Sequence, residues 1–341
     1  MRGRGARKLD ANEIVAFMRE LPVSLALSNG REYWPQFLFH STDLDNAISI
    51  LSDKVLLCRT LAKVQQRMSV DSAHQEIIQQ TEAHARNCVR LYFRPRTPTN
   101  YRNEGFRSDH DPEVEPHGIT VMFVLDALAV MTMAEAEFTN GNAARTAVLR
   151  GNDVEFLRTI PFEHVYHEGR IPDSLKDKIV FHRNAEVLVP TRLALEDSLR
   201  FVMVRSDAEL QTLLSRLREL GPSRFQTYSP LCRVNRKTAL SNLFYREWTF
   251  VEQVVVADGI ASFRFSPDTK SPGPFDIEIT VLNAITRERL SSVRQHIAVL
   301  NHTLQVRLPQ ECGRRAFMLE LYLNSRLAFR NSYEPNDSII W

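Results

Sequence analysis

Phe181-His182-Arg183-Asn184-Ala185-Glu186-Val187-Leu188-Val189 is the stretch around which the rest of the chain can be ordered. Val187, Leu188 and Val189 form a short apolar run closed by Pro190, the pattern of a buried strand in a central sheet. Glu186 stands at the leading end of that strand. A carboxylate taken out of water there costs several kcal/mol unless it is paired or hydrogen-bonded. His182 or Arg183 lies close enough in sequence to be the partner, and on these nine residues alone an ion pair is the simpler account. The alternative is a catalytic glutamate at a strand end facing a cleft.

At 341 residues the chain exceeds what one hydrophobic core usually serves, so two domains are expected. Hydrophobic residues make up 43% and charged residues 25%, as in ordinary soluble globular proteins. A net charge of +2 confines any nucleic-acid contact to a local patch. Cys58, Cys88, Cys232 and Cys312 are widely spaced with no CxxC pair, which reads as free thiols in a cytoplasmic protein. No Cys/His spacing matches zinc, and no metal is expected. No apolar run is long enough for a membrane span, and the basic start, Met1 to Lys8, is not followed by a signal-peptide core. Asn301-His302-Thr303 is a glycosylation sequon, without meaning in a chain that is not exported.

Outward from Glu186 toward the N-terminus, Asp10 can cap a helix with Ile14, Val15, Phe17, Met18 and Leu21 on one face, ended by Pro22. Phe37 to Thr42 reads as a strand that runs into a helix from Leu44 to Leu51, capped by Thr42 or Asp43. His40 thus precedes a helix N-terminus, where free N–H groups favour phosphate or carboxylate ligands. Asp71 to Arg86 is polar with a helical pattern. Leu91 to Phe93 is a strand, and Pro95 and Pro98 hold the following loop extended. On that loop Arg94 and Arg96, beside Tyr92 and Tyr101, can hold phosphates and stack bases; the plainer account is two solvated or ion-paired arginines, with Glu104 or Asp109 as the acids. Ile119 to Leu125 is another buried strand, Phe138-Thr139-Asn140-Gly141-Asn142 a turn, and Gly151 to Lys178 a long polar, partly irregular segment.

Toward the C-terminus, Ser206 and Glu209 form a capping box for an amphipathic helix carrying Leu210, Leu213, Leu214, Leu217 and Leu220, stopped by Gly221-Pro222. A domain boundary is expected there, giving 1–220 and 221–341. Thr249–Val256 and Ile260–Phe265 flank Asp258-Gly259 as a hairpin, and Phe275–Leu282, Ile297–Leu308 and Arg315–Leu323 continue as strands. Short strands at this spacing predict a small all-β sandwich, whose role is either partner recognition or scaffolding. The fold class is therefore α+β: a sheet with flanking helices, then the sandwich. P-loop, HExxH and GxSxG signatures are absent from the sequence.

Four segments in order carry a resemblance: Phe39-His40-Ser41-Thr42 with Asn46; Tyr92-Phe93-Arg94-Pro95-Arg96-Thr97-Pro98; Phe138 to Ala143; and Arg183 to Val189. Over residues of about 35–210 the chain resembles the DarT family of nucleic-acid ADP-ribosyltransferases, toxins distantly related to poly-ADP-ribose polymerases and diphtheria-toxin-like enzymes. The resemblance implies the split mixed or antiparallel sheet of ADP-ribosyltransferases. It implies NAD as co-substrate, with Glu186 as the catalytic glutamate and His40, Ser41, Thr42, Asn46, Tyr92 and Arg96 around NAD. It places Arg94, Asn140 and Asn142 toward a nucleic-acid strand. Two departures stand out. The family's arginine after an Ile-Gln pair is missing at Ile77-Ile78-Gln79-Gln80-Thr81, leaving Arg86 as a spatial substitute, and its Gly-His pair is replaced by Gly141-Asn142.

A glutamate suits this chemistry. Breaking the nicotinamide–ribose bond generates an oxocarbenium-like centre, which a carboxylate stabilises while it orients ribose hydroxyls and accepts a proton from the nucleophile. The resemblance implies a single-stranded DNA or RNA target, since a base must be unstacked to reach the cleft. It also implies a neutralising antitoxin partner and a setting in a toxin–antitoxin or phage-defence system. A protein-modifying transferase with the same NAD chemistry, or an inactive partner-binding module, are the competing readings.

Overall fold

The computed structural model describes residues 6–72, 81–108, 116–235, 240, 242–299 and 303–335. The Ile77 to Gln80 stretch, Asp109, Asn301-His302 and residues 1–5 of the basic start lie outside them. The chain divides into two compact units. The first takes Met1–Asn103, Val121–Met203 and Asn235–Phe244; the second takes Glu104–Thr120, Val204–Val234 and Tyr245–Trp341. The division is interleaved where the sequence suggested two consecutive segments. The helix Asp207–Arg218, expected to close the first domain, belongs to the second unit, and so does the short segment Glu104–Thr120.

In the first unit the strands are β1 (Phe37–Asp43), β2 (Val55–Leu57), β3 (Cys88–Tyr92), β4 (Thr120–Asp126), β5 (Glu137–Thr139), β6 (Arg150–Gly151), β7 (Glu186–Pro190), β8 (Arg192–Ala194) and β9 (Leu199–Val204). The main sheet runs β9-β4-β1-β3-β7-β5-β6, and β2 pairs with β8 separately. β3 lies antiparallel to both β1 and β7, and β7 antiparallel to β5. β4 is apolar from Val121 to Leu125 and buried on both faces, as the uninterrupted run predicts. β3 alternates instead: Val89 and Leu91 are buried while Arg90 and Tyr92 stay partly exposed on the other face. That alternation brings a charged residue into the middle of the sheet.

β1 leads directly into the helix Leu44–Asp53. Asp43 caps it, its carboxylate accepting from Asp45 N–H at 3.0 Å. Leu44, Ala47, Ile48 and Leu51 form the buried face, and Lys54, at φ 60°, ends the helix. The first helix, Ala11–Ser24, passes through Pro22 rather than stopping before it. Proline there forfeits only its own N–H, and Leu25 N–H still reaches Leu21 O at 3.0 Å. Asp10 does not cap that helix; its carboxylate takes Val154 N–H at 2.5 Å. The polar segment after Gly151 contains three short helices, Val154–Thr159, Phe162–Val165 and Lys176–His182. Of the polar stretch ending at Arg86, Ala83–Arg86 is helical.

The second unit contains β10 (Cys232–Val234), β11 (Val251–Ala257), β12 (Ile260–Phe265), β13 (Phe275–Asn283), β14 (Arg289–Ile297), β15 (Thr303–Arg307), β16 (Phe317–Leu323) and β17 (Arg326–Tyr333). The sheets β11-β12-β15 and β14-β13-β16-β17 bury their facing sides in one core. Phe263 of the first meets Phe329 of the second edge-on at 5.9 Å. This is a sandwich with the Asp258-Gly259 hairpin at its β11–β12 corner. β14 and β17 are strands beyond those the sequence pattern indicated. In β14 the residues paired with the buried side of β13 are Ser291, Val293, Gln295 and Ile297, so polar residues interrupt the apolar alternation of an edge strand. Cys58, Cys88, Cys232 and Cys312 are free and buried. Among the described residues no helix is long and apolar enough to cross a membrane.

Candidate active site

Glu186 opens β7 with its side chain fully buried, directly across from Tyr92 of β3. Opposed residues of an antiparallel pair share a face, and Arg90, two positions before Tyr92, shares it too. The result is a two-pronged ion pair. Arg90 Nε donates to Glu186 Oε2 and Arg90 Nη2 to Oε1, each at 2.5 Å. Ala143 N–H adds a third donor to Oε1 at 3.1 Å. Neither His182 nor Arg183, the neighbours that sequence proximity suggested, supplies the counter-ion. His182 Nδ1 donates to Asn140 O at 2.6 Å and Arg183 Nη2 to His167 Nδ1 at 2.8 Å. A residue next to the strand start is directed into the preceding turn, whereas Arg90 faces Glu186 across the ladder.

The electrostatics follow this geometry. Burial alone pushes the Arg90 guanidinium down, but the Glu186 carboxylate outweighs it and holds Arg90 charged well above the ordinary arginine range. Burial, then the negative charge of Glu186, pushes the Tyr92 hydroxyl up, so Tyr92 is neutral and acts as a hydrogen-bonding group.

The turn after β5 closes the site from one side. Thr139 Oγ1 donates to Gly141 O at 2.7 Å and accepts from Glu186 N–H at 2.9 Å, which fixes the turn to the start of β7. Asn140 receives Leu149 N–H on Oδ1 at 2.9 Å and donates its own N–H to Leu149 O at 3.3 Å, making a clasp at the neck of the loop. Asn142 Oδ1 accepts from Ala144 N–H and from Arg90 Nη2, both at 2.9 Å. The two asparagines expected to face a nucleic-acid strand therefore have their carbonyl oxygens engaged within the loop and, for Asn142, by Arg90 of β3 as well. Gly141 has no room for a side chain, since a Cβ would lie 2.3 Å from the Phe181 ring.

The β1 segment adds polar groups one strand away. His40 Nδ1 contacts Arg90 O at 3.3 Å, and its ring lies 6.3 Å from that of Phe123. Burial pushes the His40 imidazole down, which keeps it neutral near pH 7. Phe39 pairs with Tyr92 across β1 and β3. Ser41 Oγ is buried and has no hydrogen-bond partner among the described residues. Such an orphaned hydroxyl fits a site that a sugar or phosphate completes. Thr42 is buried. Asn46, expected at NAD, is committed elsewhere: Oδ1 accepts from Ser69 N–H at 2.7 Å and Val70 N–H at 3.2 Å, and Nδ2 donates to Val70 O at 2.8 Å. Its amide matches three backbone groups, so it pins that segment.

The Arg94-Pro95-Arg96 loop differs most from expectation. Arg94 is 1% exposed, not on the surface. Its Nη1 donates to Val165 O at 2.9 Å and His167 O at 2.7 Å, Nη2 pairs with Glu168, and the guanidinium lies 5.4 Å from the Trp34 ring centroid. A guanidinium so enclosed cannot meet a nucleic-acid phosphate. Arg96 also pairs with Glu168 and keeps 22% side-chain exposure. The common acid is Glu168, from the polar segment, rather than Glu104, which accepts N–H groups of Tyr245 and Arg246. Among the described residues no three metal-ligating side chains cluster.

Arg90 is the site residue that the sequence reading passed over. Its signal was available: a lone arginine in Val89-Arg90-Leu91-Tyr92, in step with Tyr92 and out of step with the apolar positions.

Solved structures similar to this chain include three of the DarT from Thermus sp. 2.9. The complex with ADP-ribosylated ssDNA is 18% identical, with 62% of this chain and 97% of that chain covered and a TM-score of 0.49. The complex with NAD+ is 17% identical, with 62% and 98% covered and a TM-score of 0.46. The complex with carba-NAD+ is 19% identical, with 62% and 98% covered and a TM-score of 0.46. No curated protein matches. The family model described as "ssDNA thymidine ADP-ribosyltransferase, DarT" matches residues 39–229, more than half of the chain and all four of the segments quoted from the sequence. By that match this chain belongs to the DarT family and is an NAD-dependent ADP-ribosyltransferase.

Proposed function

We propose that the protein transfers ADP-ribose from NAD to a thymidine base of single-stranded DNA. The observation that carries this is Glu186, buried and fixed by three donors at the head of β7, in a chain whose family is described by that reaction. In the reaction the bond between nicotinamide and the ribose C1′ breaks and nicotinamide leaves with the bonding pair. Glu186 then faces positive charge on the ribose, where a preorganised carboxylate is worth more than in water. A ring nitrogen of the base attacks C1′ and loses its proton, for which the carboxylate is the acceptor on this face. Tyr92, opposite Glu186, lines the nicotinamide-side ribose, and Ser41, through its partnerless hydroxyl, contacts a sugar or diphosphate oxygen. His40, Thr42 and Arg96 complete the NAD site by resemblance of their motifs. Ser41→Ala and His40→Ala are each expected to weaken NAD binding in calorimetric titration.

Single strands are favoured because the base must leave its stack to reach a buried carboxylate. A base adduct of this size blocks pairing, so an unrestrained enzyme is toxic and requires a neutralising partner; the toxin–antitoxin or phage-defence setting rests on this argument and on resemblance. The test is incubation with labelled NAD and, in parallel, thymidine-containing and thymidine-free single-stranded DNA, RNA and cell protein. Label confined to thymidine-containing DNA is expected. Label on RNA or protein overturns the target assignment.

A further inference from the structure

Glu186 is not held by chance contacts. Its carboxylate receives Arg90 Nε on one oxygen, and Arg90 Nη2 with Ala143 N–H on the other. The second hydrogen of the same Nη2 goes to Asn142 Oδ1, and Asn142 Oδ1 also takes Ala144 N–H. One guanidinium therefore links a strand-end carboxylate to a loop that begins more than forty residues before it in the chain. The pair is asymmetric in exposure: the Glu186 side chain is at 0% and Arg90 at 29%. Arg90 is thus the outer wall of the carboxylate pocket as well as its counter-ion.

The geometry points to Arg90 as a positioning residue, anchored by Asn142, that sets the rotamer of Glu186 and makes the aim of that carboxylate depend on the order of the 140–149 loop. This rests on the reading of Glu186 as the catalytic carboxylate. Charge alone does not explain the arrangement. A lysine offers one ammonium nitrogen on a flexible stem, whereas the guanidinium fork donates along two parallel directions and keeps a further N–H for Asn142. A carboxylate with both oxygens bridged has one orientation, and a displacement of about 1 Å at a reacting group can cost on the order of 10²-fold in rate. Loop and carboxylate are consequently a single device: disorder in the loop removes Asn142 and Ala143 together, leaving the fork with nothing to hold it on its outer side.

The experiment measures steady-state transfer, with kcat and the KM for NAD determined separately, and the melting temperature of each variant. Glu186→Gln is assayed beside Arg90→Lys, Asn142→Leu, Asn142→Asp and the Arg90→Lys/Asn142→Leu double variant. Arg90→Lys is expected to lower kcat by about 10²-fold with KM for NAD changed by no more than about 3-fold. Asn142→Leu is expected to lose about 10-fold in kcat, and Asn142→Asp, which keeps the acceptor, less. The double variant should be no worse than Arg90→Lys alone, because Asn142 acts through Arg90. Wild-type kcat in Arg90→Lys overturns the inference, as does multiplication of the two effects in the double variant. If Arg90→Lys does not fold, the split between Asn142→Leu and Asn142→Asp decides alone: equal losses overturn the inference. If Glu186→Gln retains transfer, the reading of Glu186 fails instead, and this is separable from failure at Arg90.

Discussion

The protein buries an arginine–glutamate pair in each unit, and the two differ in one respect. In the second unit Arg205 meets Glu209, four residues on, through Nε at 2.9 Å and through Nη2; Nη2 also donates to Gly118 O at 2.6 Å. Arg205 N–H reaches the same carboxylate at 2.9 Å, and the Phe250 ring centroid lies 4.7 Å from the guanidinium. Exposure is 0% for Arg205 and 1% for Glu209. The Arg90–Glu186 pair of the first unit has the same fork and a similarly buried carboxylate, but Arg90 retains 29%. Both pairs carry the desolvation cost of buried charge. Only the second-unit pair is sealed. On the proposed reading of Glu186, access on the arginine side is what separates a chemical pair from a structural one.

The largest effect that sharpens this comparison is Glu186→Gln, expected to lower transfer by roughly 10³-fold or more while the protein still folds. Radiolabel transfer and a thermal melt on the same preparation check it. Near-normal transfer would make both pairs structural. Next is Glu209→Gln, which leaves Arg205 charged and buried with only the Glu104 carboxylate, 3.9 Å from Nη1, as counter-ion. It is expected to cost about 3–5 kcal/mol of stability, measured by denaturant unfolding, with turnover per folded molecule unchanged. Third is Arg94→Ala. Its buried guanidinium satisfies two carbonyls and Glu168, so its loss is expected to cost about 2–3 kcal/mol, and the salt dependence of DNA binding should keep its wild-type slope. A flatter slope would return Arg94 to the surface role read from the sequence.

The smallest effect lies on the outer face of the sandwich, where pairs are exposed. The hydrogen bond from Arg294 holds Glu278 below the usual glutamate range, and Ser292 adds to this against a little burial. A depressed folded value means the contribution is present above the ordinary value of 4.5 and is lost as pH falls through the lower folded one. Glu278→Gln should therefore be slightly less stable than wild type at pH 7, by well under about 1 kcal/mol for so exposed a pair, and the difference should shrink as the pH is lowered below the ordinary glutamate range.

Local patterns were legible in the sequence. The β7 strand, the capped β1-to-helix junction, the Asp258-Gly259 hairpin and the Ser206 cap all depend on residues within a few positions of one another. Glu186 stood out for the same reason, as a charge at the edge of an apolar run. The partners of these groups were not legible, because pairing is set by strand register. Glu186 takes its arginine from 96 residues away, and Arg94 its glutamate from 74. Sequence proximity nominated His182 and Arg183 in the first case and Glu104 or Asp109 in the second. The burial of Arg94 was hidden by its setting among prolines, which marks an extended loop without saying whether another segment covers it.

The clasp between Asn140 and Leu149 separates two kinds of evolutionary freedom. The neck is fixed by backbone pairing of β5 with β6 and by the Asn140 side chain. Beyond Ala144, residues 145–147 are exposed and make no hydrogen bond to Glu186, Arg90 or Asn142 side chains among the described residues. Substitutions there can accumulate without touching the carboxylate. A library randomised at 145–147 should therefore keep ADP-ribose transfer far more often than lose it, and members with an altered target would be the sign that the tip meets the acceptor strand.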